Sequence, residues 1–205
     1  MWEGLMASLL LVTAAEFGDK TFFIALILAM RHPRYLVFWG SWLALVAMSL
    51  LAVVVGKVII QWVPIWLMRW AAVGLFLGFG GRMLWQAGKM PPHQDHCEVE
   101  EVLELVEEKE SGYHPQRWGV FWEAFSLTAM SEWGDKTQLA TVSLAAIHPA
   151  VAVFGGSLLG YSVMVAVAVV GGQMLAQRIS ERMVQWLGGS LFLAFGILTA
   201  IDIFR

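Results

Sequence analysis

A single cysteine, Cys97, stands in 205 residues, which excludes an intramolecular disulfide framework and any four-cysteine zinc site. Charge is also scarce. Asp, Glu, Lys and Arg make up 14% of the chain and hydrophobic residues 59%. A soluble domain carries about a quarter charged residues, so this balance indicates a membrane protein. No histidine lies in the middle of a long apolar run, and neither HExxH nor GxSxG occurs. A membrane-embedded hydrolase would need a liganded metal or an activated nucleophile, so no enzyme activity and no cofactor are expected. The net charge of −3 comes from one acidic loop and gives no reason to expect a nucleic-acid partner. The start, Met1-Trp2-Glu3, lacks the basic region of a signal peptide, so the first apolar run is expected to remain as a span.

What is present is a set of apolar segments at 5–30, 35–56, 63–85, 118–147, 150–174 and 183–204. Each is near the roughly 20 residues a helix needs to cross a bilayer. Trp39, Trp42, Trp62, Trp66, Trp85 and Trp118 fall near their ends, as in an interfacial aromatic belt. Prolines close the first turn of each half at His32-Pro33 and His148-Pro149; the two histidines read as turn residues at the membrane edge. The stretch 86–117 is polar and acidic, and Val99, Val102, Leu103 and Val106 keep a helical spacing in it, predicting a short amphipathic helix.

The first and fourth segments are over-long, and each carries charge in its middle. Glu16-Phe17-Gly18-Asp19-Lys20-Thr21 returns as Glu132-Trp133-Gly134-Asp135-Lys136-Thr137, 116 residues later. The same offset maps His32-Pro33 onto His148-Pro149, Gly40-Ser41 onto Gly156-Ser157, Met48 onto Met164, Gly56 onto Gly172, Trp70 onto Trp186 and Phe76 onto Phe192. The chain therefore reads as a tandem duplication of a three-span unit. Because three is odd, the two copies cross the membrane in opposite senses. The expected fold is an all-α integral membrane protein of six transmembrane helices, arranged as two inverted three-helix repeats, 1–85 and 118–205, joined by the linker 86–117. Secondary transporters share this plan, with their site near midplane where the repeats meet. Arg31, Arg34, Arg82, Lys89, Lys109, Arg117, Arg178 and Arg182 gather on one face, against Lys57, Arg69 and Arg205 on the other. The positive-inside rule then puts the central loop in the cytoplasm and both termini outside.

A charged side chain at bilayer depth costs several kcal/mol (about 2.5–3.5 on insertion scales), so a duplicated charged motif requires a reason. Glu16 and Asp19 are three apart on a helix and share one face, and the same holds for Glu132 and Asp135. Facing each other across the repeats, they would place four carboxylates around one point. These cannot all stay ionised in a low dielectric without cations, so a divalent metal and protons would compete for the same oxygens. Oxygen-only ligands favour hard ions. Thr21, Thr137 and Gln138 are candidate additional ligands. Gly18 and Gly134 permit close backbone approach or a helix break. Phe22 in the first copy is replaced by Gln138 in the second, so a site lined by that position would be asymmetric. Lys20 and Lys136 would balance carboxylate charge between ions or point away toward an interface. A purely structural role, with Glu16–Lys20 and Glu132–Lys136 as i,i+4 ties, is the bland alternative.

Other polar positions read mainly as architecture. Ser41 and Ser157 adjoin Gly40 and Gly156 and are assigned to close helix packing, as are Gly156 with Gly160 and Gly74 with Gly78. Met48 and Met164 read as apolar filling rather than soft ligands. Asp202 and Glu123 lie near span ends, with at most a part in an ion's path. His93, Asp95, His96, Cys97 and Glu98 have metal-binding side chains; solvated linker is the preferred reading, with a weak cytoplasmic cation collector as the other.

On these residues the chain resembles the Gdt-type family of calcium and manganese cation/proton exchangers, marked by two E-x-G-D-[KR]-[ST] motifs. The neighbouring Gln138, the six-span layout and the acidic central loop match as well. The resemblance implies export of Mn2+, ranked first, or Ca2+ from the cytoplasm in exchange for protons, with the motif carboxylates carrying both. It places the protein in an inner (plasma) membrane, or a thylakoid membrane in a photosynthetic source. The partners expected are therefore a divalent cation, protons and the lipid bilayer. A passive divalent-cation channel using the same carboxylate ring is the alternative.

Overall fold

The computed structural model describes residues 1–89, 97–110, 117–176 and 181–204, and these form helices without a strand. In chain order they are α1 (Trp2–Glu16), α2 (Lys20–Arg31), α3 (Arg34–Trp62), α4 (Ile65–Lys89), α5 (Cys97–Glu110), α6 (Arg117–Glu132), α7 (Lys136–Ile147), α8 (Ala150–Ala176) and α9 (Glu181–Ile203). Among the described residues, α3, α8 and α9 contain stretches long and apolar enough to cross a membrane. The 116-residue offset recurs in the element bounds: α2 begins at 20 and ends at 31, and α7 begins at 136 and ends at 147.

The two over-long apolar segments are each two helices. The break falls at the charged motif, where Gly18 and Gly134 take φ of 78° and 79°, a conformation glycine reaches without the steric cost of a Cβ. Asp19 and Asp135 then cap α2 and α7 in extended backbone. The expectation that Glu16 and Asp19 share a helix face fails for this reason: α1 ends at Glu16 before α2 starts at Lys20, so three-residue helical spacing does not apply across the break.

Most packing runs between the halves. α1 lies on α8 and α6 on α3; α2 meets α8 and α7 meets α3; α4 packs on α9 and α3 on α8. Small residues set the approach. A Cβ at Gly156 would strike Ser8 and the Leu5 carbonyl, and one at Gly40 would lie 2.5 Å from the Phe121 carbonyl oxygen. Substituting either would force the helices apart. Gly80 does the same between α4 and α9, where the Gly189 carbonyl stands 2.9 Å away. Gly74 and Gly78, expected to serve this purpose, do not: a Cβ at either meets nothing within 4 Å. They lie off the α4 face that Gly80 presents to α9.

Trp39, Trp62, Trp66, Trp85 and Trp118 are exposed, amid many exposed leucines, valines and isoleucines, an outer surface suited to lipid. Trp42 instead turns inward and donates from Nε1 to Ser162 Oγ at 2.8 Å. The amphipathic helix of the central loop is α5. Its Val102 and Val106 are fully buried against α2, and Glu107 Oε1 meets Arg31 Nη2 at 3.2 Å. His93, Asp95 and His96 lie outside the described residues, as do the side chains of Cys97 and Glu98.

Candidate functional site

The two helix breaks bring their carboxylates to one place. Glu16 ends α1 and Glu132 ends α6, and both are buried, at 0% and 1% exposure. Ligand oxygens of Glu16, Glu132 and Asp135 all lie within 4.8 Å of one another. Glu16 and Glu132 come from different halves, so neither half alone makes the cluster.

The motif threonines hold these carboxylates in parallel fashion. Thr21 Oγ1 donates to Glu16 Oε2 at 2.5 Å, and Thr137 Oγ1 donates to Glu132 Oε1 at 2.7 Å. Thr137 Oγ1 is also 3.1 Å from Asp135 Oδ2. A hydroxyl carries one hydrogen, so Glu132 and Asp135 share it. The Thr137 backbone N–H reaches the same Asp135 oxygen at 3.3 Å, capping α7 as an N-cap aspartate does. One oxygen of each glutamate, Glu16 Oε1 and Glu132 Oε2, is buried without a hydrogen-bond partner. A buried carboxylate oxygen left unpaired is costly unless positive charge comes to it. These two oxygens are therefore unsatisfied acceptors within the carboxylate cluster.

Asp19 stands apart from the cluster. Its Oδ2 accepts from Lys136 Nζ at 2.8 Å, with the two side chains 14% and 16% exposed. The pair joins the first motif to the second, across the halves, rather than making a tie within one helix. Lys136 also feels Asp135 and Glu16, which makes it a positive charge held beside the cluster. Gln138 turns its amide oxygen to the Gly134 N–H at 2.8 Å, bracing the break. Phe22, its counterpart, is fully buried in the core. Lys20 and Thr21 line, with Asp19, Ser131, Glu132, Gly134 and Asp135, a polar cavity of about 250 Å³ beside the cluster.

Sequence reasoning missed Ser131 and Tyr161. Tyr161 on α8 is 1% exposed and packs in the core with Phe22 and Met164, within electrostatic reach of Glu132, Glu16 and Asp135. Both residues break the 116-residue register, Ser131 against Ala15 and Tyr161 against Leu45. Mismatches at buried positions near the motif were the available signal.

A second cavity, of about 560 Å³, has an apolar wall including Leu10, Leu191 and Phe195, and carries Glu3, Arg69, His148 and Asp202. Burial lowers the pKa of His148, against the opposing pull of Glu3 and Asp202, in keeping with a neutral turn residue.

Comparison with known proteins bears on this arrangement. A family profile described as "Divalent cation/proton antiporter GDT1" matches residues 4–91 and 120–205, which are the two halves without the acidic loop. A GDT1-like protein of Synechocystis, sll0615, is 42% identical over 201 residues, covering 97% of both chains. GDT1-like protein 3 of Oryza sativa subsp. indica is 39% identical, covering 96% of this chain and 73% of its own. The chloroplastic PAM71-homolog of Arabidopsis thaliana is 38% identical, covering 98% of this chain and 60% of its own. No solved structure matches the chain.

Proposed function

The chain belongs to the GDT1 family of divalent cation/proton antiporters, and from that premise we propose that it exports Mn2+, or alternatively Ca2+, from the cytoplasm in exchange for protons at the Glu16–Glu132–Asp135 cluster. The observation that carries this is the meeting of one buried glutamate from each half, each with an oxygen that nothing in the protein satisfies. Three carboxylates carry three negative charges. A divalent cation lowers the local sum to −1, and so do two protons. Replacing one by the other leaves the site's electrostatics unchanged, whereas losing both would leave like charges facing each other in a low dielectric. Cation and protons therefore take turns on the same oxygens. The all-oxygen donor set, with threonine hydroxyls behind it, suits a hard ion over a soft one.

In this reading the six apolar segments are six spans in two inverted repeats. α1 runs beside α8 in the same direction, since Gly156 sits against Leu5 and Ser8 while Gly160 sits against Leu9 and Thr13. α8 returns from α7 after the His148-Pro149 turn, so α1 and the α6–α7 segment run opposite ways. The breaks then lie near midplane, where irregular backbone is tolerated because it lines a polar cavity. The central loop faces the cytoplasm and the termini face outward, in the plasma membrane or, in a photosynthetic host, the thylakoid.

Vesicles containing the purified protein, given an inward-directed cation gradient and a pH dye inside, test the reading. Mn2+ uptake is expected with proton counter-movement, and is expected to stop in Glu16→Gln and in Glu132→Gln. Uptake with no proton movement would mean a channel. Uptake surviving both substitutions would refute the carboxylate mechanism.

A further inference from the structure

One face of α7 leads from the carboxylate cluster to the second cavity. Thr137, Thr141, Leu144 and His148 recur at helical spacing, which puts them in one stripe. Both ends of that stripe are fixed by contacts. Thr137 Oγ1 donates to Glu132 at 2.7 Å, while Leu144 and His148 line the cavity of about 560 Å³. Between them Thr141 is 0% exposed, and its Oγ1 has no hydrogen-bond partner. Ser143 on the same helix returns its hydroxyl to the Leu139 carbonyl at 2.9 Å, the usual resort of a buried hydroxyl in a helix. Thr141 makes no such bond, and an orphan hydroxyl is costly. The register places buried Ala25 there in the first half, so the equivalent helix folds without the oxygen. The cavity itself runs along α9 from Asp202 inward to Leu191, roughly 16 Å of helix, or about half a hydrocarbon core. Its deep wall is apolar, and Glu3 and Asp202 stand exposed at its outer end. They outnumber Arg69, and His148 is neutral there, so the mouth favours cations.

We propose that the cation leaves the carboxylate cluster along this stripe: Thr141 lends it an oxygen between Thr137 and the cavity, Leu144 is the apolar side chain that turns aside to let it pass, and the cavity is the vestibule on the release side. Leu144 is buried in a core with Leu11, Phe76 and Phe192, so in this structure the passage is shut between cluster and cavity. An ion crossing an apolar barrier sheds ligands that it must replace. A hydroxyl one turn beyond Thr137 shortens that gap. Its contribution falls on the barrier to transfer and leaves binding at the cluster as it is, so it shows in rate and not in affinity.

The inference rests on the exchanger reading, and the experiment separates the two. Mn2+ uptake is measured in proteoliposomes and Mn2+ binding by electron paramagnetic resonance, on fractions that elute as folded protein in size-exclusion chromatography. Thr141→Val replaces the hydroxyl by a methyl group of similar size. It is expected to lower the maximal rate roughly tenfold or more, with the dissociation constant within about twofold. Thr141→Ser, which keeps the oxygen, is expected to recover most of that rate. In a Cys97→Ser background, Ala194→Cys puts one thiol on the cavity wall, and Val151→Cys puts one on the exposed outer surface away from it. Each is modified in detergent with a thiosulfonate bearing a trimethylammonium group, reconstituted, and compared with the same protein unmodified. Modified Ala194→Cys is expected to lose most of its uptake and keep its Mn2+ binding; modified Val151→Cys is expected to change in neither. A wild-type rate in Thr141→Val, a matching loss of affinity, or undiminished uptake by modified Ala194→Cys would overturn the passage. Uptake persisting in both Glu16→Gln and Glu132→Gln would overturn the carboxylate site first, and the passage with it.

Discussion

Lys136 offers the sharpest perturbation, because its ammonium serves both the joint between the halves and the charge balance of the site. In Lys136→Met the side chain keeps a similar length and apolar stem but loses the charge. Asp19, 14% exposed and held at 2.8 Å, then has no cation, and Asp135 and Glu16 lose the positive charge they also feel. Breaking a buried pair from one side costs about 3–5 kcal/mol, and for a chain of this size that lowers the melting temperature by about 6–20 °C. The reverse substitution, Asp19→Asn, leaves Lys136 facing Asp135 and Glu16 and is expected to cost less, about 1–2 kcal/mol. Scanning fluorimetry in detergent would measure both. Divalent cation should rescue Lys136→Met selectively, since it supplies the missing charge. Mn2+ at a hundred times its dissociation constant adds about 2.7 kcal/mol. A Lys136→Met protein melting within 2 °C of wild type (below the roughly 1 kcal/mol level), or an Asp19→Asn protein that suffers more, would refute the assignment of Lys136 as the positive charge held beside the cluster.

Three further outcomes follow from the same geometry. Gly134→Ala places a Cβ in open space but forces φ of 79° on an L-residue, so the whole cost is backbone. About 1–2 kcal/mol is expected, with a smaller loss in Gly134→Asn, both read as melting temperature and uptake rate. Thr137→Val removes the hydrogen shared by Glu132 and Asp135 and is expected to cost about 1.5–3 kcal/mol, with reduced Mn2+ affinity; unchanged affinity in an isotope-binding assay would argue against the shared hydroxyl. Acidifying the side from which cation loads should raise its half-saturating concentration, by about tenfold per pH unit for each proton displaced, without lowering the maximal rate. A pH-independent half-saturation would exclude competition for common oxygens.

Much of this architecture was legible in the residues. The apolar runs, the motif at the centre of two of them and the constant offset read directly, whereas the helix break at Gly18 and Gly134 was only one of the possibilities those glycines left open. The site's partners were less legible. Reading Glu16 to Lys20 as continuous helix pairs Glu16 with Lys20, whereas the break sends Asp19 across to Lys136; only the three-dimensional meeting of the halves decides that. Tyr161 was hidden for a related reason. Identities draw the eye along the 116-residue register, and Tyr161 is buried in the core where that register has Leu45. Gly74 and Gly78 show the limit from the other side: small-residue spacing names a face able to pack closely, without saying which face meets a helix.

The central claim is that one cation and the protons that replace it occupy the same oxygens of Glu16, Glu132 and Asp135. Proton release on Mn2+ binding tests it most directly, measured by isothermal titration of the purified protein in buffers of different ionisation enthalpy. The account predicts release of protons with each cation bound by the wild-type protein, and loss of that release when Glu16→Gln and Glu132→Gln are combined. Mn2+ binding to wild type with no proton released, or release undiminished in the combined variant, would contradict it.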